Sequence, residues 1–454
     1  MSAAKHRPHV IVVGCGFAGL GCARKLARQQ GVRVTLLDRN NYHQFQPLLY
    51  QVATSQLSGT NIAFSIRALF RNHRNVDVKL VEVASIDPQT CTVTGTGGET
   101  WNGDAVVLAA GSQPNFFGTP GADLNSYPLY SLRDAQQLRS RIIAVFEHAD
   151  RDPSLIERGA LNFVVVGGGP TGVETAGALA DMIDQTMAVE YRDIPITKAE
   201  VHVVDLGHTL LAAFSERAHG YAAKVLGRKG VKLHLDTKVT DIAPGHVTLE
   251  DGTTIATRCV IWGGGIKAPS VASTTGLAQG AGGRIDVQPD LTVEGFPRFY
   301  AVGDVANIKD ADGEPLPQLG SVALQSGVCA AENLLADFSG RPRESFRYRD
   351  KGIMAMIGRS GLGGGAAIAA MGKKRREVHG PIAFVAWLGV HAMLMTGIRT
   401  RVAALIDWGW AYLSSTRGPQ VLDRETAMQI DWSENGSSEP AEVDAGHPAV
   451  PSST

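Results

Sequence analysis

Hydrophobic and polar positions along this chain alternate between short apolar runs and longer segments with helical periodicity. An apolar run at residues 10–13 precedes a glycine-rich loop and a helix-like segment at 20–28, and a second run at 32–37 ends in Asp38. Strands buried on both faces of a parallel sheet read as continuous apolar runs, and helices connect them. The pattern therefore predicts an α/β fold.

The loop after the first run has the spacing of a dinucleotide-binding fingerprint. Gly14 permits the tight turn, Gly16 lets the backbone approach a pyrophosphate, and Gly19 lets the helix pack closely on the strand. Phosphates then lie at the helix N-terminus, where unpaired N–H groups favour negative charge. Asp38, about twenty residues past the loop, can bond ribose hydroxyls. These residues predict a nucleotide site.

The same motif recurs in the middle of the chain. The run at residues 163–166 leads into Gly167, Gly169 and Gly172, and the next run ends in Asp205. Two complete fingerprints predict two bound dinucleotides. A carboxylate at Asp205 bonds a ribose 2′-hydroxyl and repels a 2′-phosphate, and no arginine follows it at residues 206–210, so NADH is favoured over NADPH.

The remaining pattern predicts further strands and helices around the two fingerprints. Residues 39–53, rich in aromatics and containing proline, suit a loop rather than a helix. Strands are expected at 76–83, 105–111 and 299–304, with three more in the second unit at 232–235, 247–250 and 259–262. Helices are expected at 131–148 and 316–335.

Composition limits the class of protein. The chain has 454 residues, 44% of them hydrophobic, so it is long enough for two or three domains. A formal net charge of −1 gives no reason to expect nucleic-acid binding. The five cysteines are scattered singly without a C-x-x-C, which predicts buried thiols in a reducing compartment and no metal site.

Several of these motifs together resemble type II NADH dehydrogenases, the single-subunit, non-proton-pumping NADH:quinone oxidoreductases of the two-dinucleotide-binding flavoproteins. The resemblance rests on the two glycine loops, the Gly303-Asp304 pair and especially F-Q-P-L-L-Y-Q-V-A at residues 45–53. It implies that the first fold holds FAD and that an inserted second fold holds NADH. Residues 39–53 contain no cysteine, so the dithiol chemistry of flavin disulfide reductases is unsupported.

The resemblance also implies site residues. The FAD contacts would be Gly14, Gly16, Phe17, Ala18, Gly19, Asp38, Arg39, Pro47, Leu48, Val83, Ala110, Gly111, Gly303 and Asp304. The NADH contacts would be Gly167, Gly169, Pro170, Thr171, Gly172, Glu174, Asp205 and Gly264. Glu174 and Gln325 would be catalytic, although an acid at position 174 also simply favours the helix dipole.

The quinone contacts implied are Gln325, Ser321 and Tyr50, with one departure from the family. The family usually carries an Ala-Gln pair four residues before the second glutamine, whereas this chain has Gly320-Ser321. A serine hydroxyl is shorter and rotatable, so the headgroup contact is open at this position.

The C-terminal part predicts membrane attachment. Residues 381–398 are apolar almost all round, and a basic run at 373–376 and several tryptophans flank the apolar segments. The alternative is a hydrophobic hairpin buried in the core or in a dimer interface. The resemblance implies a homodimer on the cytoplasmic face of the cell membrane, held peripherally.

The expected architecture is therefore two Rossmann-type domains, the second inserted in the first, plus a membrane-associating helical region. The FAD-binding domain would comprise residues 8–115 and 285–345, and the NADH-binding domain residues 116–284. The C-terminal region would comprise residues 346–430, and residues 432–454 would form a disordered tail. Two alternatives to a quinone oxidoreductase remain at this stage. These are a related flavoenzyme with a non-quinone acceptor and a FAD- and NADH-binding sensor with low turnover.

Overall fold

The computed structural model describes residues 7–360, 364–371, 376–413, 420–423, 430 and 432. The first Rossmann unit is built on a six-stranded sheet that is parallel except at one edge. Its strands, in spatial order, are Thr292–Val293, Phe296–Ala301, Ala105–Leu108, His9–Val13, Arg33–Asp38 and Val76–Leu80. Two strands that follow the second unit in sequence thus return to the first sheet, which confirms the predicted insertion.

The second Rossmann unit is built on a five-stranded parallel sheet. Its strands, in spatial order, are Tyr127–Pro128, Cys259–Trp262, Asn162–Val166, Glu200–Val204 and Lys232–His234. The strand expected at 247–250 does not join this sheet. It lies instead at His246–Leu249 in an antiparallel sheet, because its hydrophobic positions alternate as they do in a half-buried strand.

Each Rossmann unit carries an antiparallel three-stranded sheet, so the internal repeat extends beyond the glycine loops. The first is formed by Val83–Asp87, Thr92–Gly95 and Thr100–Asn102, and the second by Val239–Ala243, His246–Leu249 and Thr254–Ala256. The prediction of a single strand at 76–83 is therefore wrong. Strand Val76–Leu80 ends in the six-stranded sheet, and the next strand, Val83–Asp87, belongs to the three-stranded sheet of the first unit.

Helices connect and cover the sheets. They span Phe17–Ala27, Leu49–Ala53, Gly59–Ile62, Ile66–Phe70, Ala122–Asn125, Leu132–Arg151, Pro170–Met182, Ala188–Glu190, Glu216–Arg228, Gly320–Phe338, Pro381–Leu394 and Ile398–Leu413. Helix Leu132–Arg151 begins with a capping box, in which Ser131 Oγ accepts from the Asp134 backbone and the Asp134 carboxylate accepts from the Ser131 backbone. This pairing satisfies two donors that a helix N-terminus leaves unpaired.

The segment at residues 39–53 is more ordered than a loop. It contains strand Tyr42–Gln44, which pairs with Ala63–Ser65, then a 3-10 turn at Gln46–Leu48 and helix Leu49–Ala53. Pro47 occupies the first turn, where a proline is tolerated because its missing N–H would be unpaired anyway. The proline therefore starts the helical segment instead of preventing it.

The C-terminal region contains an antiparallel sheet that the sequence analysis did not predict. It is formed by Ile353–Ser360, Gly364–Met371 and Arg376–His379, and it packs beside helices Pro381–Leu394 and Ile398–Leu413. Among the described residues, no helix is both long enough and apolar enough to cross a bilayer. Residues 373–375 of the basic run and nearly all of the predicted tail lie outside the described residues.

The hydrophobic core joins parts of the chain that are distant in sequence. Phe45, Leu48 and Tyr50 belong to one buried cluster with the second Rossmann unit, the C-terminal sheet and Trp387 and Trp408 of the C-terminal helices. The strands of the first unit form a separate cluster. The F-Q-P-L-L-Y segment thus leaves its own unit and packs between the second unit and the C-terminal region.

Candidate active site between two dinucleotide folds

The first fingerprint loop is shaped by close backbone contacts. Gly14 has a φ of +94° and donates its backbone N–H to the carbonyl oxygen of Leu37 over 2.8 Å. A Cβ atom at Gly14 would overlap the carbonyl oxygen of Ala109, and one at Gly19 would overlap that of Gly14. Only glycine fits at these two positions, and they bring the end of strand Ala105–Leu108 against the loop.

Gly16 differs from its two neighbours in the fingerprint. No atom of the described residues lies within 4 Å of the place where its Cβ would be, so its backbone is open on that side. Asp38 lies beside the loop, where its carboxylate accepts from the backbone nitrogens of Cys15 at 2.6 Å and Asn40 at 2.7 Å. An open backbone at a helix N-terminus next to a carboxylate fits the pyrophosphate and ribose of a dinucleotide.

The Gly303-Asp304 pair meets the same loop. Gly303 has a φ of +72°, and a Cβ there would lie 2.9 Å from Cβ of Ala18. Asp304 Oδ2 accepts a 3.2 Å hydrogen bond from Ser112 Oγ, and burial raises the pKa of this carboxyl. Acceptor oxygens in such a place fit the hydroxyls of a ribityl chain, so the donors and acceptors of the first unit suit FAD.

The second fingerprint repeats this geometry. Gly167 has a φ of +111° and donates to the Val204 carbonyl over 2.8 Å. A Cβ at Gly167 would clash with Gly263, and one at Gly172 would overlap the carbonyl oxygen of Gly167. Gly169, like Gly16, has no atom of the described residues within 4 Å of its Cβ position. The repeat therefore includes the open central glycine.

Asp205 holds the second loop as Asp38 holds the first. Its carboxylate accepts from the backbone nitrogens of Gly168 at 2.5 Å and Gly207 at 2.7 Å. Gly264 lies against the ring of Trp262, whose indole nitrogen donates to the Asn115 carbonyl. These contacts place Gly264 at the carboxyl end of the sheet beside the fingerprint, where ligands of such sheets bind.

A cavity of about 50 Å³ lies between the F-Q-P-L-L-Y segment and helix Pro170–Met182, which we call the second fingerprint helix. Its lining residues come from these two elements and from Leu129; they are Gln46, Pro47, Leu49, Tyr50, Leu129, Thr171 and Glu174. Predicted contacts of both cofactors thus line one space.

Glu174 is the buried acid of this cavity. Only 9% of the residue's surface is exposed, and Oε1 accepts a 3.0 Å hydrogen bond from the backbone nitrogen of Met356 in the C-terminal sheet. Burial disfavours the charged carboxylate and raises its pKa to about 8, an effect that exceeds the opposing stabilisation by the Met356 N–H. Glu174 therefore carries a proton at neutral pH.

Tyr50 lies in the same environment and is part of a buried hydrogen-bond chain. Its hydroxyl accepts from Gln51 Nε2 at 3.0 Å, and Gln51 Oε1 accepts from the Trp408 indole nitrogen at 2.7 Å. Burial, followed by the nearby charge of Glu174, raises the pKa of the phenol well above its usual value. Tyr50 remains protonated and is available as a hydrogen-bond donor.

Comparison with known proteins decides the family. The model of the pyridine nucleotide-disulphide oxidoreductase family matches residues 8–327. The chain is 34% identical, over 93% of its length and 92% of the relative's, to a type II NADH:quinone oxidoreductase of Mycobacterium tuberculosis. The chain belongs to the type II NADH:quinone oxidoreductases. Its cofactors are FAD and NADH, and its activity is electron transfer from NADH to a quinone, as the sequence predicts.

Other relatives agree on the architecture. A type II NADH:quinone oxidoreductase of Haemophilus influenzae is 28% identical over 85% of this chain and 93% of the relative. The structure of NDH2 from Plasmodium falciparum in complex with NADH superposes with a TM-score of 0.81 at 18% identity, covering 91% of this chain and all of that one. This similarity shows the shared fold.

Two predicted quinone contacts of this type II enzyme are engaged elsewhere. Ser321 Oγ bonds the Tyr348 hydroxyl at 2.8 Å, and the Gln325 amide both donates to and accepts from the backbone of Arg349 at 3.0 Å. Neither residue lines the cavity. The Gly320 departure also has a packing reason, because a Cβ there would lie 3.3 Å from the Phe17 ring.

The other predicted contacts vary in position. Arg39 and Pro47 are exposed, Val83 is half-buried in the first three-stranded sheet, and Gly111, with a φ of +70°, lies beside the Tyr130 hydroxyl. Leu48 is fully buried in the core and does not line the cavity. Its neighbour Leu49 lines the cavity, and the FAD contact of Leu48 stays a prediction.

Sequence reasoning missed several residues around the cavity. Gln46, Leu49 and Gln51 lie within the recognised F-Q-P-L-L-Y-Q-V-A stretch, so that motif was the signal for them. Leu129 and Met356 had no such signal because tertiary packing alone brings them there. All five cysteines are free and four are buried.

Proposed function

We propose that this chain transfers electrons from NADH to a lipid-soluble quinone at the cavity lined by Tyr50, Thr171 and Glu174. The observation that carries the proposal is that one cavity is lined both by the F-Q-P-L-L-Y segment and by the second fingerprint helix. The loop at Gly14–Gly19 with Asp38 would hold FAD and the loop at Gly167–Gly172 with Asp205 would hold NADH, and the bound flavin would supply hydride acceptance and two-electron transfer to the acceptor. The protein supplies position, exclusion of water and protons.

Glu174 supplies a proton in this proposal. Reduction of a quinone to a quinol takes up two electrons and two protons. The hydride of NADH would supply both electrons and one of the protons, and the Glu174 carboxyl, whose pKa is about 8 and which is therefore protonated at neutral pH, would supply the other. Such a pKa lies near the operating pH, as efficient proton transfer requires. The bond to the Met356 N–H fixes one carboxyl oxygen, so the other is the one available to the cavity.

Tyr50 is the proposed headgroup contact from the protein. It lines the cavity, whereas the amide of Gln325 and the hydroxyl of Ser321 bond residues 349 and 348. We therefore propose that Ser321 and Gln325 hold residues 348–349 beside helix Gly320–Phe338 and do not contact the quinone directly.

The two C-terminal helices are the proposed membrane-binding surface. They carry large apolar side chains that are exposed to solvent, namely Ile382, Val385, Val390, Met393, Leu394, Ile398, Val402, Leu405, Ile406 and Trp410. Burying each of several such side chains in lipid contributes roughly 1.5–3 kcal/mol. The opposite faces are fixed to the protein, since Trp387 and Trp408 are buried and Asp407 accepts from Asn61 at 2.7 Å.

The side of the membrane follows from the substrate. NADH is a charged molecule that does not cross bilayers, so we assign the protein to the cytoplasmic face of the cell membrane, held peripherally. The homodimer implied by the resemblance stays a prediction, which light scattering of the purified holoprotein tests. We also propose the division into an FAD domain at 8–115 with 285–345, an NADH domain at 116–284 and a C-terminal domain at 346–430, since it follows the three groups of sheets.

Steady-state oxidation of NADH by the purified flavoprotein tests the proposed function. We expect rapid oxidation with a water-soluble quinone, slow oxidation without it and a strong preference for NADH over NADPH. Oxidation that is slow with every acceptor, or that a quinone does not accelerate, would contradict the proposal.

A further inference from the structure

A buried chain of three side chains connects a C-terminal helix to the cavity. The Trp408 indole nitrogen donates to Gln51 Oε1 at 2.7 Å, and Gln51 Nε2 donates to the Tyr50 hydroxyl at 3.0 Å. The exposed fractions of Trp408, Gln51 and Tyr50 are 2%, 0% and 3%, so water does not compete for these bonds. Of these three hydrogen-bonded side chains, only Tyr50 lines the cavity.

The donor-only chemistry of tryptophan fixes the direction of the whole chain. An indole N–H cannot accept, so the amide group of Gln51 must turn its oxygen towards Trp408. Its NH₂ group then faces Tyr50 and donates to the phenolic oxygen. This assignment does not depend on telling nitrogen from oxygen in the amide. In the reversed orientation the NH₂ group of Gln51 would face the indole N–H of Trp408, and two donors cannot bond each other.

Tyr50 consequently uses its oxygen as an acceptor and keeps its own hydrogen for another partner. Within the described part of the chain, no second side chain bonds the Tyr50 hydroxyl. The neighbouring Glu174 carboxyl, whose Oε1 is engaged by Met356, lines the same cavity as Tyr50. The cavity is the direction left for the hydrogen, since Tyr50 is one of its lining residues.

We infer that Trp408 and Gln51 are positioning residues that aim the Tyr50 hydroxyl hydrogen at a carbonyl oxygen of the quinone in the cavity beside Glu174. The inference rests on the proposed function, because it takes the quinone as the occupant of this cavity. A membrane-binding helix thereby also orients the group that receives the lipid-soluble substrate, since Leu405 and Ile406 of the same helix are exposed.

A double-mutant cycle tests the inference. Trp408→Phe removes the indole donor and keeps an aromatic ring, and Tyr50→Phe removes the hydroxyl that the chain is proposed to aim. Gln51→Met, which removes both ends of the middle link at similar volume, is a second route if Trp408→Phe fails to retain flavin. Trp432→Phe is the matched control, because its indole also donates to a side chain, His148, at 2.9 Å, away from the cavity.

We expect Tyr50→Phe and Trp408→Phe each to lower kcat/KM for a water-soluble quinone by about three- to tenfold, the effect of one neutral hydrogen bond. The double variant should lose no more than Tyr50→Phe alone, because both changes remove the same bond. Reduction of the bound flavin by NADH should stay at the wild-type rate. The Trp432→Phe variant should match wild type.

Infrared spectra of a carbonyl-labelled quinone bound to the protein give a readout that does not depend on turnover. The carbonyl stretching band should shift to higher frequency in Tyr50→Phe, in Trp408→Phe and in Gln51→Met, and stay in place in Trp432→Phe. An unchanged band, or losses that add fully in the double variant, would overturn the inference. A wild-type protein that quinone does not reoxidise would instead contradict the proposed function.

Discussion

The carboxyl of Glu174 and the backbone nitrogen of Met356 form a 3.0 Å hydrogen bond between the second fingerprint helix and the C-terminal sheet. One turn further along the helix, a Cβ at Gly177 would overlap the carbonyl oxygen of Ile357, so the helix and the strand are in direct backbone contact. The position of the proposed proton donor therefore depends on a sheet that lies outside both Rossmann units.

Replacing Glu174 by glutamine should remove a pH dependence of stability. Burial raises the pKa of Glu174 from 4.5 to about 8. Between these values the unfolded chain has released a proton that the folded protein still binds, so the free energy of unfolding falls as pH rises through this window. We expect the Tm of wild-type holoprotein to fall relative to that of Glu174→Gln between pH 5 and about pH 8.5. Parallel Tm profiles would contradict this account.

The same variant should separate proton transfer from cofactor binding. Removal of a general acid typically costs about 100-fold or more in rate. We expect Glu174→Gln to lower kcat with quinone by about this factor while FAD content stays at the wild-type level, because glutamine keeps an acceptor for the Met356 N–H. Flavin absorbance per protein serves as the control, and unchanged quinone turnover would exclude the proposed role.

The two open glycines should respond differently to the same substitution. A methyl group at Gly16 or Gly169 meets no protein atom among the described residues, so both alanine variants should fold. Gly16→Ala should lose FAD, because the methyl group occupies the pyrophosphate side of the loop. Gly169→Ala should keep its yellow colour and raise KM for NADH. Gly19→Ala is the structural control and should fail to fold, since its Cβ overlaps Gly14.

Asp205 should determine the preference between NADH and NADPH. Its carboxylate would face a 2′-phosphate with like charge, and such juxtaposition costs several kcal/mol. Asp205→Asn should therefore lower the ratio of kcat/KM for NADH over NADPH by at least about tenfold. KM for NADH should rise as well, because asparagine cannot accept from both Gly168 and Gly207 with carboxylate strength. An unchanged ratio would place the discrimination elsewhere.

The exposed apolar face of the C-terminal helices predicts where membrane binding can be abolished. Leu405→Glu and Ile406→Glu, at side chains that are 49% and 65% exposed, should each lower partition onto lipid vesicles by about tenfold or more. Leu124→Glu is the matched control, because Leu124 is 83% exposed and lies in helix Ala122–Asn125 of the second unit. Vesicle co-sedimentation gives the bound fraction, and equal binding of all variants would refute the assignment.

Much of the fold was predictable because local rules determine it. The strand at His9–Val13, the three glycines after it and Asp38 follow from periodicity and from the space that the backbone needs. The second copy follows from the same rules, and strand Cys259–Trp262 lies where the apolar run predicts it.

The rest depended on contacts between distant parts of the chain. Leu49 lines the cavity whereas Leu48 is buried in the core, and adjacent leucines read alike in the sequence. Gln51 reads as an ordinary polar residue, yet it is fully buried because Trp408, from the C-terminal helix, supplies its partner. The C-terminal sheet was missed because its strand Gly364–Met371 is rich in alanine and glycine and has only one of the β-branched residues that mark strands, Ile368.

The central claim is that electrons pass from NADH to a quinone beside Glu174 and Tyr50. Anaerobic stopped-flow measurement of flavin absorbance, with vesicle-bound holoprotein mixed first with NADH and then with quinone, tests it most directly. The account predicts bleaching by NADH and full recovery by quinone at a rate no slower than turnover, with the recovery alone slowed in Tyr50→Phe. Flavin that NADH bleaches and quinone fails to restore would contradict it.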